Sequence, residues 1–244
     1  MIIFTHHSGE PHGILGAQVA ATFIQEKLSI PVVVVGIERD FLKEQLLRFI
    51  EESYAGRERV VAFSHLCGRK DILGLIQELK ERGFMTILGG PQARQDYYGE
   101  PEADSRPHRF RGLKSIVDLA LQGPVDGVRS EHLGMRDEVV EYPWTKDIFL
   151  DIDWSNLYTF RDTLRKLEVR LGQVLNSIGC PYAGKAQTII LPPPVNLREK
   201  NIPDMEVRSQ GCIFCDVSRD KGYHGSVERN KVIAQILGLP EIDC

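Results

Sequence analysis

The stretch PVVVVGI at residues 31–37 sets the strongest limit on what this chain can become. It shows no polar alternation, so as a strand it must be buried on both faces, the hallmark of a parallel sheet covered by helices above and below. Similar runs recur at IIFTH (2–6), RVVAFSHL (59–66) and FMTILGG (84–90), and VDGVR (125–129) is expected to supply a fifth strand. Between them, residues 13–28, 40–54 and 69–83 return apolar side chains every three or four positions and are expected to be helices. Asp40 is the expected N-cap of the second helix and Gly83 the stop of the third. Strand–helix alternation of this kind predicts an α/β fold, a Rossmann-like doubly wound parallel sheet with right-handed crossovers.

The remainder reads differently. A polar, turn-rich segment occupies 99–112. After about residue 131 the alternation fades. DIDWSNLYTF (151–160) reads as a linker with aromatic anchors, and residues 161–177 as a helix capped near Asp162, its basic run 161–170 a solvated face. Trp144, Trp154, Tyr158 and Phe160 could anchor a domain interface but are read as core residues. LPPP (191–194) is extended, MEVRSQG (205–211) is a short strand, and SVERNKVIAQILG (226–238) is a helix capped by Ser226. The expected organisation is a Rossmann-like domain over 1–135, a linker and helical segment over 136–204, and the beginning of a second domain over 205–244.

Composition narrows the function classes. A formal charge of −4 argues against a nucleic-acid or membrane-surface binder. No run reaches the roughly 18 apolar residues of a membrane span, and the N-terminus lacks a signal peptide's charged start and long apolar core. A cytoplasmic location is expected. Five cysteines, in a chain large enough to build a core without staples, favour metal or catalytic use over disulfides.

In an open parallel sheet, ligands bind at the carboxyl ends of the strands. There the sequence places HHSGEPHGILG after the first strand, Ser64-His65-Leu66-Cys67-Gly68 after the third, and Gly89-Gly90-Pro91 after the fourth. Small residues suit a large flat ligand or a phosphate tail, because backbone can then approach it closely; each stretch alone also suits an ordinary turn. Taken together they resemble the three-part signature of the cobalamin-binding domain family, Asp-x-His-x-x-Gly, Ser-x-Leu and Gly-Gly. Ser64 and Leu66 match the second part and Gly89 and Gly90 the third. The first part departs from the pattern: Glu10 stands for Asp, and one extra residue separates His12 from Gly16. The resemblance implies that Ser64 and the two glycines line the slot of a buried nucleotide tail. It also implies that His12 can serve as cobalt ligand, with His6, His7 and His65 nearby in sequence. The alternative is that His12 is a polar loop residue and cobalamin is held without a protein axial ligand.

Cys212 and Cys215 stand two residues apart in SQGCIFCDV. From one tight loop they can reach a single metal centre. Zinc would need four ligands, which Cys180 and His224 could complete; an iron–sulfur cluster held by three thiolates leaves one iron open. The stretch resembles the cluster loop of the radical S-adenosylmethionine (radical SAM) superfamily, Cys-x-x-x-Cys-x-aromatic-Cys. Cys212 and Cys215 match the second and third cysteines, and Phe214 matches the aromatic that lies against adenine. The family's first cysteine falls at Arg208, so Cys180 is the expected replacement, returned by a long excursion whose closure costs only about 0.6 kcal/mol per doubling of length. The alternative for Cys180 is an inert buried thiol, and Cys67, close to Ser64, is expected to be a core or pocket thiol.

The two resemblances together imply a cobalamin-binding radical SAM enzyme. A 4Fe-4S cluster would pass one electron to S-adenosylmethionine, and a deoxyadenosyl radical would take hydrogen from an unidentified substrate, with an electron donor such as a flavodoxin or ferredoxin. The superfamily's barrel needs roughly 200 residues, and only residues 216–244 follow Cys215. The expectation is therefore the start of a radical SAM-type α/β barrel in the front part of a longer polypeptide, inactive alone. A non-catalytic cobalamin or nucleotide binding module, and a zinc-stabilised α/β protein, are the alternatives.

Overall fold

A computed structural model describes residues 1–64, 69–90, 93–100, 111–145, 147–179, 186–196, 202–210 and 223–240. The chain divides into two compact units. One comprises Met1–Pro143, Ile148–Val174 and Ile233–Cys244; the other comprises Trp144–Asp147 and Leu175–Val232.

The first unit is built on β1 (Ile2–His6), α1 (Leu15–Leu28), β2 (Val33–Ile37), α2 (Lys43–Ser53), β3 (Val60–Ser64), α3 (Lys70–Glu81), β4 (Met85–Gly89), α4 (Ala93–Tyr98), β5 (Leu119–Gln122), β6 (Glu138–Glu141), β7 (Leu157–Phe160) and β8 (Leu164–Lys166). These strands form one eight-stranded sheet in the order β6-β5-β4-β3-β1-β2-β7-β8. Every pairing is parallel except that of β8 with β7. This is the α/β, Rossmann-like architecture that the apolar runs predict.

Helices cover both faces. Leu46, Leu47 and Ile50 of α2 and Ile72, Leu75, Ile76 and Leu79 of α3 pack with Phe4, Val35 and Phe63 on one face. Ala17, Ala21 and Ile24 of α1 pack with Ile3, Val34, Ala62 and Ile87 on the other. Each fully buried aliphatic side chain contributes about 1.5–3 kcal/mol. Side chains alternate across a strand, which is why neighbours such as Val34 and Val35 belong to opposite cores and why the run at 31–37 carries no polar residue.

Several local expectations are corrected. The fifth strand is Leu119–Gln122, while Val125–Gly127 forms a 3-10 turn after the Gly123-Pro124 break. Residues 151–160 are no linker: β7 pairs along β2, with Trp154 and Leu157 in the core. Residues 161–177 form no helix. Asp162 instead turns the chain between β7 and β8, where its Oδ1 accepts the Thr163 N–H at 2.8 Å. The long-range partner β7 overrode a weak local periodicity. α2 starts at Lys43 rather than at an Asp40 cap, because the Leu42 amide donates instead to the Arg161 carbonyl at 2.7 Å. α3 gives way to Gly83 at a left-handed φ of 81°, as expected.

The second unit holds two antiparallel ladders: β9 (Ser177–Gly179) with β12 (Tyr223–Ser226), and β10 (Ala186–Leu191) with β11 (Met205–Gln210). The strand expected at 205–211 is β11. A final helix, α5, spans Arg229–Leu237; Ser226 ends β12 instead of capping it.

Candidate functional site at the carboxyl edge of the sheet

In the order β4-β3-β1-β2, the chain leaves β1 toward one neighbour and β3 toward the opposite side, so their carboxyl ends form a topological switch point. Register fixes what lies there. Thr159, Gly36, Thr5, Ser64 and Gly89 are lateral partners across β7, β2, β1, β3 and β4. By the alternation of the pleat they share the α1 face with Leu157, Val34, Ile3, Ala62 and Ile87. Five strands thus end on that face in hydroxyls and glycines only.

The two glycines of this row differ. A Cβ at Gly36 would collide with His7, which fills the space above it. Among the described residues a Cβ at Gly89 would meet only the Phe63 carbonyl oxygen, at 3.9 Å, so none of them crowds that position. Gly90 follows at φ 111°, a conformation that disfavours side chains, and a Cβ on it would lie 3.7 Å from Ser64 Oγ. Beside them Thr5 is 1% exposed and its hydroxyl has no hydrogen-bond partner among the described residues.

The loop after β1 is pinned by a histidine. His7 is 1% exposed; its Nδ1 accepts the Gly9 N–H at 2.9 Å, which leaves Nε2–H to donate to the His12 carbonyl at 2.9 Å. Burial lowers the His7 pKa and favours the neutral ring that this bonding requires. The His12 ring stacks on His7, centroids 4.4 Å apart. The loop is tied further where the Leu171 carbonyl accepts the Gly13 N–H at 3.0 Å. On the other face, Arg69 holds the end of β2 by donating to the Glu38 carbonyl at 2.9 Å.

The fold therefore brings Ser64, Gly89 and Gly90 together, with His12 on the loop at the same edge. Leu66 and His65 lie outside the described residues, as do Cys180, Cys212, Phe214 and Cys215. Thr5 and Gly36 were not singled out from sequence, and His7 was named there only as a competitor of His12. Their signal was the appearance of polar or small residues at the ends of otherwise apolar strands, IIFTHH and VVVGI. Among the described residues no group of three or more His, Cys, Asp or Glu side chains is placed to hold a metal ion.

In the second unit Gly179, which precedes Cys180 in sequence, pairs with Tyr223, and Ala186 pairs with Gln210, which stands two positions before Cys212.

The class is an α/β protein with a doubly wound, mostly parallel sheet. Comparison with protein-family models, curated proteins and solved structures finds no match to this chain. No helix among the described residues is long and apolar enough to cross a membrane.

Proposed function

We propose that the chain is a cobalamin-binding radical SAM enzyme, or its N-terminal part, with the corrinoid at the carboxyl edge of the sheet and a 4Fe-4S cluster on Cys180, Cys212 and Cys215. The observation that carries the reading is Gly89, which no described residue crowds, flanked by Ser64, Gly90 and the unpartnered hydroxyl of Thr5. A flat, apolar ring with a polar edge fits such a place, since backbone can lie against its face where side chains are missing. Ser64, Leu66, Gly89 and Gly90 would hold the buried part of the ligand, and His12 would stand on the loop above it.

The Cys-Ile-Phe-Cys spacing of the sequence, with Cys180 as the third thiolate, supports the cluster half. Phe214 would lie against the adenine of S-adenosylmethionine. When bound, the cluster supplies the electron that cleaves S-adenosylmethionine to a deoxyadenosyl radical; the chain's own share is to position the cofactors and exclude water. An electron donor such as a flavodoxin or ferredoxin and a reducing, cytoplasmic setting go with this reading, as does the start of a radical SAM-type barrel after β11.

Anaerobic reconstitution with iron, sulfide and hydroxocobalamin tests it. The expected product is brown, bleaches on reduction, and retains corrinoid. Cys180→Ala, Cys212→Ala and Cys215→Ala should each lose most of the iron, and Gly89→Leu should lose the corrinoid while keeping the iron. Corrinoid retained without a brown species would leave a binding module. A colourless protein carrying one zinc would leave a zinc-stabilised fold, and either result sinks the radical reading.

A further inference from the structure

The amino edge of the sheet, opposite the site above, holds a cavity of about 930 Å³, a size that suits a small organic ligand. Met1, Val33 and Val60, at the starts of β1, β2 and β3, line it together with Ile30, Phe49 and Leu133. The backbone donors of these strand starts are already matched. The Val33 N–H donates to the Met1 carbonyl at 3.2 Å, the Ile2 N–H to the Tyr54 hydroxyl at 2.8 Å, and the Val60 N–H to the Glu58 carbonyl at 3.2 Å. The part of a ligand that lies on them is therefore apolar, since a polar group would lose its water and gain no partner.

The rim is charged. Arg57 is exposed and lines the cavity, as does the Met1 amino group, which donates to the Pro31 carbonyl at 2.6 Å. Burial, and then the positive charge of Arg57, lower the pKa of that amino group. Two cations thus stand close enough to repel. Among the described residues neither forms an ion pair, although Glu58 and Glu131 also line the cavity. An anion seated between the two would replace repulsion by attraction.

We propose that this cavity binds a small carboxylic acid with an apolar body, its carboxylate held by Arg57 and the Met1 amino group and its chain laid against Val33, Val60 and Leu133. The site is separate from the carboxyl edge and does not rest on the corrinoid reading.

The test is calorimetric titration of the full chain with decanoate, decanol and decylamine, each below its micelle concentration, in the wild type, Arg57→Glu and Ser53→Trp. The wild type should bind decanoate about fivefold more tightly than decanol, the scale of an exposed charge pair, and decylamine most weakly. Arg57→Glu should reverse the order of decanoate and decylamine while melting at the wild-type temperature. Ser53 lines the cavity from the last turn of α2, so Ser53→Trp should weaken all three probes. A wild type that binds the three equally, prefers decylamine or binds none of them would overturn the proposal and leave the corrinoid reading untouched. So would an Arg57→Glu protein with the wild-type order, or a folded Ser53→Trp protein with wild-type affinities.

Discussion

Two buried residues at the amino edge of the central sheet contrast with Thr5 at its carboxyl edge. Tyr54 and Asp118 are matched, although the Asn156 amide just before β7 is not. The Tyr54 hydroxyl accepts the Ile2 N–H at 2.8 Å and donates to the Val60 carbonyl at 2.6 Å, joining the end of α2 to the starts of β1 and β3. Burial pushes its pKa up to about 12. Asp118, at the start of β5, accepts the Thr86 N–H at 2.9 Å and pairs with Lys80 at 2.9 Å. At the carboxyl edge the Thr5 hydroxyl is unmatched among the described residues, none of which crowds Gly89. The lesson is local: Tyr54 and Asp118 tie strand starts together and contribute stability, while the Thr5 hydroxyl contributes none.

The sharpest way to break this comparison is Asp118→Ala. It should destabilise by about 3 kcal/mol in urea unfolding, because the Thr86 amide is left buried and unpaired. A loss under 1 kcal/mol would show that the amino edge is not held as described. Burial alone would raise the Asp118 pKa, but the Thr86 N–H, the Lys80 ammonium and the Thr86 hydroxyl outweigh it and hold the pKa below its ordinary value of 3.8. The unfolded state therefore takes up the proton first as pH falls. The Asp118 contribution is complete above about pH 4 and is lost as pH drops through the folded pKa. Urea midpoints measured from pH 5 to 2 should fall more steeply for wild type than for Asp118→Asn.

Next in size is the contrast between the two glycines of one row. Gly36→Ala should cost about 2 kcal/mol, since the new methyl collides with His7 and the pinned loop must shift. Tyr54→Phe should cost about 1.5 kcal/mol through two backbone groups left without their partner. The smallest effect is Gly89→Ala, expected within about 0.5 kcal/mol of wild type, because no described residue crowds its methyl. If Gly89→Ala proved as damaging as Gly36→Ala in thermal melts, the contrast between the two glycines would fail.

The helices and strands of residues 1–90 were legible because local pattern and tertiary role agree there: runs buried on both faces read as β2 and β3, and amphipathic spacing reads as α2 and α3. Residues 151–177 were misread for the opposite reason. β7 has its partner β2 more than a hundred residues earlier in the chain, and the helix-like spacing of 161–177 yields to the β7–β8 turn and to contacts with the loop after β1. In the site, Ser64, Gly89 and Gly90 could be named from their order along the chain. Thr5 and Gly36 could not, because their meaning lies in lateral register.

By itself the sequence determined the alternation of elements, the faces that must be buried, and the residue types available at the strand ends, since each is a local matter of periodicity and side-chain chemistry. Only the tertiary structure decided which of those ends stand side by side, and that one glycine of the row is filled by His7 while another is uncrowded among the described residues. Strand order and register are set by contacts between residues far apart in the chain, and no local pattern encodes them.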